Sequence, residues 1–387
     1  MWIVLGRRLS SGGGSEPFGD FPKKLTMRHR FHSLCPYFAM FPESFVRKHL
    51  TLASTKSVVL DCFSGRGTTV FEALQMGHQG LGIDVNPLAV CVSRAKSAAP
   101  TVASIRQRIE DLETRFGPSD DDPLLSDEFF RMCFAEPTLQ QILFLRRELN
   151  WRDNQVDCFI AAMAAGCLHG ESHRSQRVFS NRMPRTISTK PSYSVRWWRK
   201  HELLPPERNV FEILRAEADF RFACPPPHGT GVVIEGDARK SSTLLADWAR
   251  SVDMVLTSPP YLDVTHFRED QWLRVWFLGG EPFPCSATEG DDRHANVDRY
   301  WQFLAETWAG VAPLLKDTAQ IVIRIGGKKM SFEAARAGLE QSLFQSFSRV
   351  SCLSESTSDI RNGQLRSFRP NAEGTRREFD FVFSVTA

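Results

Sequence analysis

The stretch SVVLDCFSGRGTT, residues 57–69, decides the fold. Its first seven residues form an apolar run that predicts a buried strand. Gly65 and Gly67 then predict a loop that can approach a ligand closely, because glycine has no side chain to block the approach. Residues 70–76 predict a helix that ends at Gly77. Strand, glycine loop and helix in this order are typical of a nucleotide site at the edge of a parallel sheet.

The alternation of strands and helices continues along the chain. Short apolar runs predict strands at 80–84, 232–237, 251–256 and 319–325, helices are predicted at 43–52 and 87–98, and the alternating residues 377–385 predict a late hairpin strand. Strands that alternate with helices favour an α/β fold with a doubly wound, mostly parallel sheet.

About 130 residues separate the second predicted strand from the third, too many for an ordinary connection. We therefore expect an inserted subdomain, with helices at 139–149 and 157–168. The predicted organisation is a disordered leader at 1–27, a first half of the sheet domain at 28–100, an insertion at 101–230 and a second half of the sheet domain at 231–387. The leader prediction rests on the Ser- and Gly-rich residues 10–15, which leave open whether the first 26 residues belong to the protein.

Two acidic residues follow predicted strands near the glycine loop. Asp84 lies 19 residues after Gly65, where a carboxylate can accept hydrogen bonds from both hydroxyls of a ribose. Asp237 ends the third strand, where it either contacts a nucleotide or caps the next helix. A nicotinamide site would need a third glycine at position 70, and this chain has Val70.

The second informative stretch is TSPPY, residues 257–261, directly after the apolar run VDMVL. Neither proline has a backbone N–H, so the strand cannot continue through them. The turn holds its carbonyls and the Ser258 side chain in fixed directions beside the Tyr261 ring. A rigid polar turn next to an aromatic ring suits a site that grips a planar base with an exocyclic amine.

Both stretches resemble the motifs of amino-methylating DNA methyltransferases. Residues 61–69 are similar to the family's Asp-Pro-Phe-x-Gly-x-Gly-Thr-Thr loop, departing from it at Cys62, and residues 258–261 match its Ser-Pro-Pro-Tyr signature. The resemblance implies a seven-stranded Rossmann-like methyltransferase sheet, S-adenosylmethionine (SAM) as cofactor and no metal. It implies cofactor contacts from Asp61, Phe63, Gly65, Gly67, Thr68, Asp84, Asp237 and Ala238. More loosely, residues 35–42 resemble the segment that flanks the methionine part of SAM.

The same resemblance implies catalysis at Ser258, Pro259, Pro260 and Tyr261, with the target base flipped out of the duplex. Serine at the first position is more typical of cytosine N4 methylation, and aspartate of adenine N6 methylation. Cytosine C5 methylation needs a cysteine nucleophile after a strand. We reject Cys285 for that role because it lies in a loop rich in glycine and proline.

A basic block lies inside the predicted insertion. Residues 171–200 carry a net charge of +7 within a chain of net charge +3, so the remainder is mildly acidic. Cations interleaved with aromatic residues favour contact with DNA phosphates and bases over a solvated loop. The candidate DNA-binding residues are Arg174, Arg177, Arg182, Arg185, Lys190, Arg196, Trp197 and Lys200. The order of SAM loop, recognition region and catalytic motif resembles the α group of the family.

We therefore expect a SAM-dependent, cytosine-N4-specific methyltransferase of double-stranded DNA that acts as a monomer or homodimer. If it belongs to a restriction-modification pair, its partner is a cognate restriction endonuclease. The alternatives are adenine N6 methylation, RNA amino-methylation and a catalytically dead DNA-binding protein. Nine cysteines without paired spacing indicate reduced thiols. The sequence has no apolar run of transmembrane length, so a cytoplasmic, nucleoid-associated bacterial protein is expected.

Overall fold

The structure is a computed structural model of the 387-residue chain. It describes residues 28–36, 42–51, 53–119, 121–183, 190–262, 271–283, 296–327, 330–359 and 377–386. The predicted leader at 1–27 lies outside these ranges, as do Arg185, Cys285 and most of residues 35–42.

A seven-stranded sheet forms the centre of the molecule. Its strands, in chain order, are β1 (Val58–Asp61), β2 (Gln79–Asp84), β3 (Val232–Glu235), β4 (Val252–Thr257), β5 (Leu315–Gly326), β6 (Arg349–Asp359) and β7 (Arg377–Thr386). Their spatial order is β3-β2-β1-β4-β5-β7-β6. The first five strands are parallel, and β7 runs antiparallel to both β5 and β6. The predicted α/β class and doubly wound, mostly parallel seven-stranded sheet are confirmed.

Helices cover the first face of the sheet in depth. They are α1 (Glu43–Leu50), α2 (Thr68–Gln75), α3 (Pro87–Ser97), α4 (Val102–Arg115), α5 (Glu128–Cys133), α6 (Glu136–Glu148), α7 (Gln155–Cys167), α8 (Pro191–Lys200), α9 (Val210–Phe222) and α11 (Trp272–Phe277). The short helix α10 (Ser241–Leu244) lies on the second face. In the described part of the chain, no helix has the length and apolar character to span a membrane.

The second face is covered by α10, α12 (Val297–Val311) and α13 (Phe332–Phe344). Tyr300, Leu304 and Trp308 of α12 are fully buried against β1, β2, β4 and β5. Their spacing of four residues places them on one face of the helix, which explains why α12 docks on the sheet along that stripe.

The helices of the predicted insertion share one hydrophobic core with α2 and α3. Phe159 of α7 illustrates this continuity. Its ring lies 5.4 Å from that of Phe31, in the N-terminal segment, and 5.1 Å from that of Phe222 in α9. A Cβ atom on Gly166 of α7 would lie 2.1 Å from the carbonyl oxygen of Leu34, so the two backbones touch there. The predicted insertion is therefore packed into the helical layer that covers the first face of the sheet.

Candidate active site

The carboxyl ends of β1, β2 and β4 meet at one edge of the sheet. The strand β1 lies between β2 and β4, and the chain winds outward from it in both directions. Ligands of open α/β sheets bind at such a switch point, outside the carboxyl ends of the strands. The glycine loop follows β1, and residues 258–261 follow β4, so both predicted motifs lie at this edge.

The glycine loop is shaped by its second glycine. Gly67 has φ of 71°, a left-handed conformation that side chains disfavour. A Cβ atom there would lie 2.0 Å from Oγ of Ser93 on α3. Gly67 donates to the carbonyl of Ser64 at 2.7 Å and stands at the N-terminal cap of α2. Glycine is required at this position for both reasons.

The absence of a third glycine in the loop has a structural explanation. Val70 of α2 faces β2, where a Cβ atom on Gly80 would lie 2.6 Å from the Val70 carbonyl oxygen. A Cβ atom on Gly82 would lie 2.9 Å from the Val70 side chain. The small residues that permit close packing of helix and strand therefore lie on β2, so Val70 fits without opening the loop.

Asp84, at the end of β2, bonds to the glycine loop. Its Oδ2 accepts from the Gly65 amide at 2.8 Å, and its Oδ1 accepts from the Asn86 amide at 2.9 Å. Burial raises the pKa of this carboxyl to about 6, against the opposing effect of these two N–H groups. Each oxygen of a carboxylate has a second acceptor site, so Asp84 can still bind ribose hydroxyls.

Asp61, at the end of β1, joins the two motifs. Its Oδ1 accepts from the Thr257 hydroxyl at 2.6 Å and from the Phe63 amide at 3.2 Å. Thr257 is the last residue of β4, directly before Ser258. Asp61 is 1% exposed, and burial raises its pKa to about 6. The glycine loop and the Ser-Pro-Pro-Tyr turn are thus held together by a buried hydrogen bond.

Asp237 adopts the capping geometry that the sequence left open. Its Oδ1 accepts from the Arg239 amide at 3.0 Å, and both carboxylate oxygens contact the Arg239 guanidinium, the shorter contact being 2.6 Å. Arg239 also reaches Glu306 at 3.1 Å. A hydrogen bond from Asp237 to an adenine amine stays a prediction, and it requires the carboxylate to be shared with Arg239.

The remaining predicted cofactor residues surround the loop. Phe63 is half-buried, with its ring 5.7 Å from that of Phe303. Thr68 and Ala238 are buried, Thr68 at the first position of α2.

The predicted catalytic turn, residues 258–261, leaves β4, and the residue after it pairs beside the end of β5. Pro259 is buried, whereas Ser258, Pro260 and Tyr261 are half-buried. Leu262 then pairs with Gly327, just beyond the end of β5. The Tyr261 hydroxyl donates to Glu378 Oε1 at 3.0 Å. The turn is therefore fixed at both ends and keeps partial exposure at the edge of the sheet.

The structure separates the predicted DNA-binding residues into two groups. Arg174 pairs with Glu171 at 3.0 Å, and Arg177 pairs with Glu217 at 2.8 Å. Both arginines are thus engaged in ion pairs. Arg185 lies outside the described residues.

The second group gathers on α8, which the sequence did not predict as a helix. Arg196 and Lys200 are exposed on the helix, Lys190 precedes it, and Trp197 between them is half-buried. The Arg182 guanidinium lies 5.8 Å from the centre of the Trp197 ring. On the opposite side, Trp198 is fully buried and Val195 nearly so. The amphipathic helix therefore presents cations and the rings of Tyr193 and Trp197 away from the core.

Residues 11–93 match the family model of DNA methylases. The matched part contains the glycine loop and Asp84, and it begins within the stretch predicted to be a leader. It ends before the insertion, the catalytic turn and the basic helix α8. Together with the observed sheet, the match supports a SAM-dependent methyltransferase.

The solved structures that align with this chain do so at low sequence identity and low TM-score. TrmN from Thermus thermophilus aligns at 11% identity and a TM-score of 0.35, over 92% of this chain and 52% of its own. The rRNA methyltransferase aviRa from Streptomyces viridochromogenes aligns at 15% identity and a TM-score of 0.33, over 92% and 94% of the two chains. The chain thus spans about half the length of the Thermus protein. No curated protein matches the chain significantly.

The residues at this edge suit SAM. Asp84 retains acceptor sites beside the left-handed glycine loop, and among the described residues Asp61 Oδ2 has no hydrogen-bond partner. A buried carboxylate oxygen without a partner is a natural acceptor for a ligand's ammonium or hydroxyl group. Within the described ranges, no three His, Cys, Asp or Glu side chains are grouped to hold a metal ion.

Three residues of this site escaped the sequence analysis. Thr257 was quoted only as the residue before Ser258, and its hydroxyl bonds to Asp61. Glu378 and Arg324 come from β7 and β5, which the chain separates from the catalytic turn by tens of residues. Only the register of β5 against β7, in which Arg324 faces Asp380, brings them to Tyr261.

Proposed function

We propose that this protein is a DNA methyltransferase that transfers the methyl group of SAM to the exocyclic N4 of a flipped cytosine. One observation carries the proposal. The glycine loop and the Ser-Pro-Pro-Tyr turn leave neighbouring parallel strands, and the 2.6 Å bond between Asp61 and Thr257 holds them side by side. Methyl donor and base acceptor would therefore meet at one edge.

The residues of the turn suit methylation of an amine. The lone pair of an exocyclic amine is delocalised into the ring and must be localised before it attacks. Acceptors on the amine hydrogens, from Ser258 and the Pro259 carbonyl, draw the nitrogen toward sp³ geometry. SAM supplies the electrophilic methyl group and leaves as the neutral thioether S-adenosylhomocysteine, while the proton released by the methylated amine passes to water or to Ser258. The protein contributes orientation and preorganised electrostatics, without a covalent intermediate.

An exocyclic amine inside a duplex is not accessible to such a turn, so the base must leave the stack. Tyr261 offers a ring on which the flipped base would stack. The outer face of α8 offers Arg196 and Lys200, together with Arg182 beside the Trp197 ring, to the phosphates of double-stranded DNA. Serine at position 258 favours cytosine N4 over adenine N6. The proposal includes a monomeric or homodimeric enzyme, either with or without a partner restriction endonuclease.

The test is expression in a host that lacks DNA methylation, followed by sequencing whose kinetics distinguish N4-methylcytosine from N6-methyladenine. We expect N4-methylcytosine at one recognition sequence, and Ser258→Ala should abolish it while SAM still binds in calorimetry. N6-methyladenine would correct the base and retain the reaction. Unmodified DNA from soluble, SAM-binding protein would count against DNA as substrate, and methylation of the RNA of the same cells would then identify the alternative.

A further inference from the structure

The far end of the Tyr261 side chain is bonded to the antiparallel part of the sheet. Its phenol hydroxyl donates to Oε1 of Glu378 at 3.0 Å, and the other carboxylate oxygen of Glu378 lies 3.2 Å from Nη1 of Arg324. The backbone of the same turn is held separately, because Leu262 pairs with Gly327. The tyrosine is therefore held at both ends, by its backbone and by its hydroxyl.

Arg324 gives Glu378 a fixed partner. Arg324 on β5 faces Asp380 on β7, and Glu378 lies two residues before Asp380, on the same face of the strand. Arg324 donates to both carboxylate oxygens of Asp380, at 2.6 and 2.8 Å, and its side chain is 8% exposed. A bidentate pair of this kind has a defined geometry. Glu378 thus contacts a guanidinium that is itself held in place.

The helix α1 connects this guanidinium to the glycine loop. The ring of Phe45 lies 4.0 Å from the Arg324 guanidinium. Glu43, two residues earlier in the same helix, accepts from Nη2 of Arg66 at 3.3 Å. Arg66 lies between the two glycines of the loop. One helix therefore contacts both the loop and the group that holds Glu378.

The hydroxyl contact matters because Tyr261 is only half-buried. The torsion that rotates an aromatic ring has a broad range of allowed angles, so partial packing leaves the plane of the ring free to tilt. A hydrogen bond at the far end of the ring restricts that tilt. A base stacked on the ring takes its own plane from it. A displacement of about 1 Å at the reacting atoms can cost about 100-fold in rate.

We propose that Glu378, held by Arg324, is a positioning residue that fixes the plane of the Tyr261 ring relative to the glycine loop, so that a base stacked on the ring presents its amine to the methyl donor. The inference rests on the proposed function, since it takes Tyr261 as the stacking surface for a flipped base. Glu378 acts through Tyr261 and touches no substrate. Its loss should therefore slow methyl transfer without weakening the binding of DNA or SAM.

Two substitutions break the same contact from opposite sides. Tyr261→Phe keeps the ring and removes its hydroxyl, and Glu378→Ala keeps the tyrosine and removes its partner. Arg324 keeps both of its bonds to Asp380 in either variant, so we expect the fold to be retained, as circular dichroism would show. Each variant should lower kcat about tenfold on DNA that contains the methylated sequence, with KM for DNA and Kd for SAM changed less than about twofold.

The double variant separates a shared contact from two unrelated losses. Because both substitutions break one hydrogen bond, the double variant should be no slower than either single variant. Glu355→Ala is the matched control, because Glu355 pairs with Arg336 at 3.1 Å on the exposed strand β6, and it should keep the wild-type kcat. Full activity of Tyr261→Phe, or losses that multiply in the double variant, would overturn the proposal. A rise in KM for DNA with unchanged kcat would also overturn it.

A second measurement does not depend on activity. The chain has four tyrosines, so tyrosine labelled with ¹³C at Cζ gives at most four signals, and Tyr261→Phe assigns one of them. The Cζ atom carries the hydroxyl, so Glu378→Ala should move the Tyr261 signal, whereas Glu355→Ala should leave it in place. An unmoved signal would show that the contact is absent in solution and would refute the proposal. A moved signal in a wild-type protein that methylates no amine would instead sink the proposed function and leave the contact standing.

Discussion

Asp84 is the residue whose ionisation should govern SAM affinity. Its pKa of about 6 lies within the accessible pH range. Hydrogen bonds to an ionised acceptor are stronger than those to a neutral one by about 1 kcal/mol. We expect SAM affinity to rise roughly fivefold as pH increases from 5 to 8, because Asp84 loses its proton across this window. Calorimetric titration at several pH values measures the effect.

Asp84→Asn should bind SAM weakly at every pH and should lose the larger part of the step near pH 6, since the carboxyl of Asp61 also has a pKa of about 6. Glu235→Gln is the matched control, because Glu235 ends the neighbouring strand β3 and pairs with Arg152 at the surface. A step that persists undiminished in Asp84→Asn would assign the titration to another group.

Asp61 should make folding stability depend on pH in the opposite sense to an ordinary carboxylate. Its pKa is raised from 3.8 to about 6, so the folded protein binds its proton more tightly than the unfolded chain does. The resulting stabilisation is fully present below about pH 4 and is lost as pH rises through about 6. Because Asp61→Asn cannot ionise, it should remove this loss, which amounts to roughly 1–3 kcal/mol.

The measurement is urea unfolding of both proteins at pH 5 and pH 7.5. The asparagine side chain introduced by Asp61→Asn would add a constant cost for its buried NH2 group, so the informative quantity is the change with pH. A stability difference that stays constant between the two pH values would contradict the buried, raised-pKa carboxyl.

At the scale of elements, α8 should supply the salt dependence of DNA binding. Each phosphate contact contributes about 0.9 to the slope of log K against log salt. Replacing Arg196 and Lys200 together by alanine should therefore flatten the slope by about 2 and weaken binding to all sequences alike. Fluorescence anisotropy with labelled duplexes at several salt concentrations tests this.

Arg199→Ala is the control within the same helix, because Arg199 pairs with Glu128 on α5. It removes the same charge and should change the slope less. If Arg199→Ala flattens the salt slope as much as either Arg196→Ala or Lys200→Ala does, the change in slope reflects net charge alone. The outer face of α8 would then have no special role in DNA binding.

The elements differ in how well the sequence predicts them. The strand β1 and the glycine loop were predictable, because an apolar run and two glycines act locally. The helix α8 was not predicted, because its mixture of cations and aromatic residues is also typical of a loop. Its amphipathic period becomes visible only in the structure, where Trp198 and Val195 pack into the core of the insertion helices. The exposed edge strand β6 was missed since it buries little and lacks a clear apolar alternation.

The residues of the site likewise divide into those that the sequence predicts and those that it does not. Its turn and carboxylates were predictable from strand ends, because parallel strands bring those ends together. The link from Tyr261 to Glu378 was not, since it depends on the antiparallel register of β7, which no local pattern specifies. The Asp61–Thr257 bond likewise needs the pairing of β1 with β4.

For the whole molecule, the decisive feature is that the insertion shares a core with α2 and α3, two of the helices that cover the sheet. Phe159 is fully buried in α7, and its ring contacts extend to the N-terminal segment and to α9. Phe159→Ala should therefore destabilise the whole protein by about 3–5 kcal/mol, because it leaves a cavity in a core common to both parts. Urea unfolding gives the magnitude, and Phe344→Ala, at an exposed position of α13, is the control for loss of a phenylalanine.

Hydrogen exchange followed by mass spectrometry separates a shared core from two independent ones. With a shared core, peptides from α4 to α9 and peptides from β1, β4 and β5 should lose protection by the same free energy in Phe159→Ala. A separate subdomain would instead lose protection in α4–α9 alone while the sheet stayed protected. Cooperative unfolding would mean that the helix α8, proposed to meet DNA, is held by the same packing that aligns the glycine loop with the Ser-Pro-Pro-Tyr turn. In that case the proposed DNA contact at α8 and the proposed chemistry at Ser258 would be positioned by one rigid body.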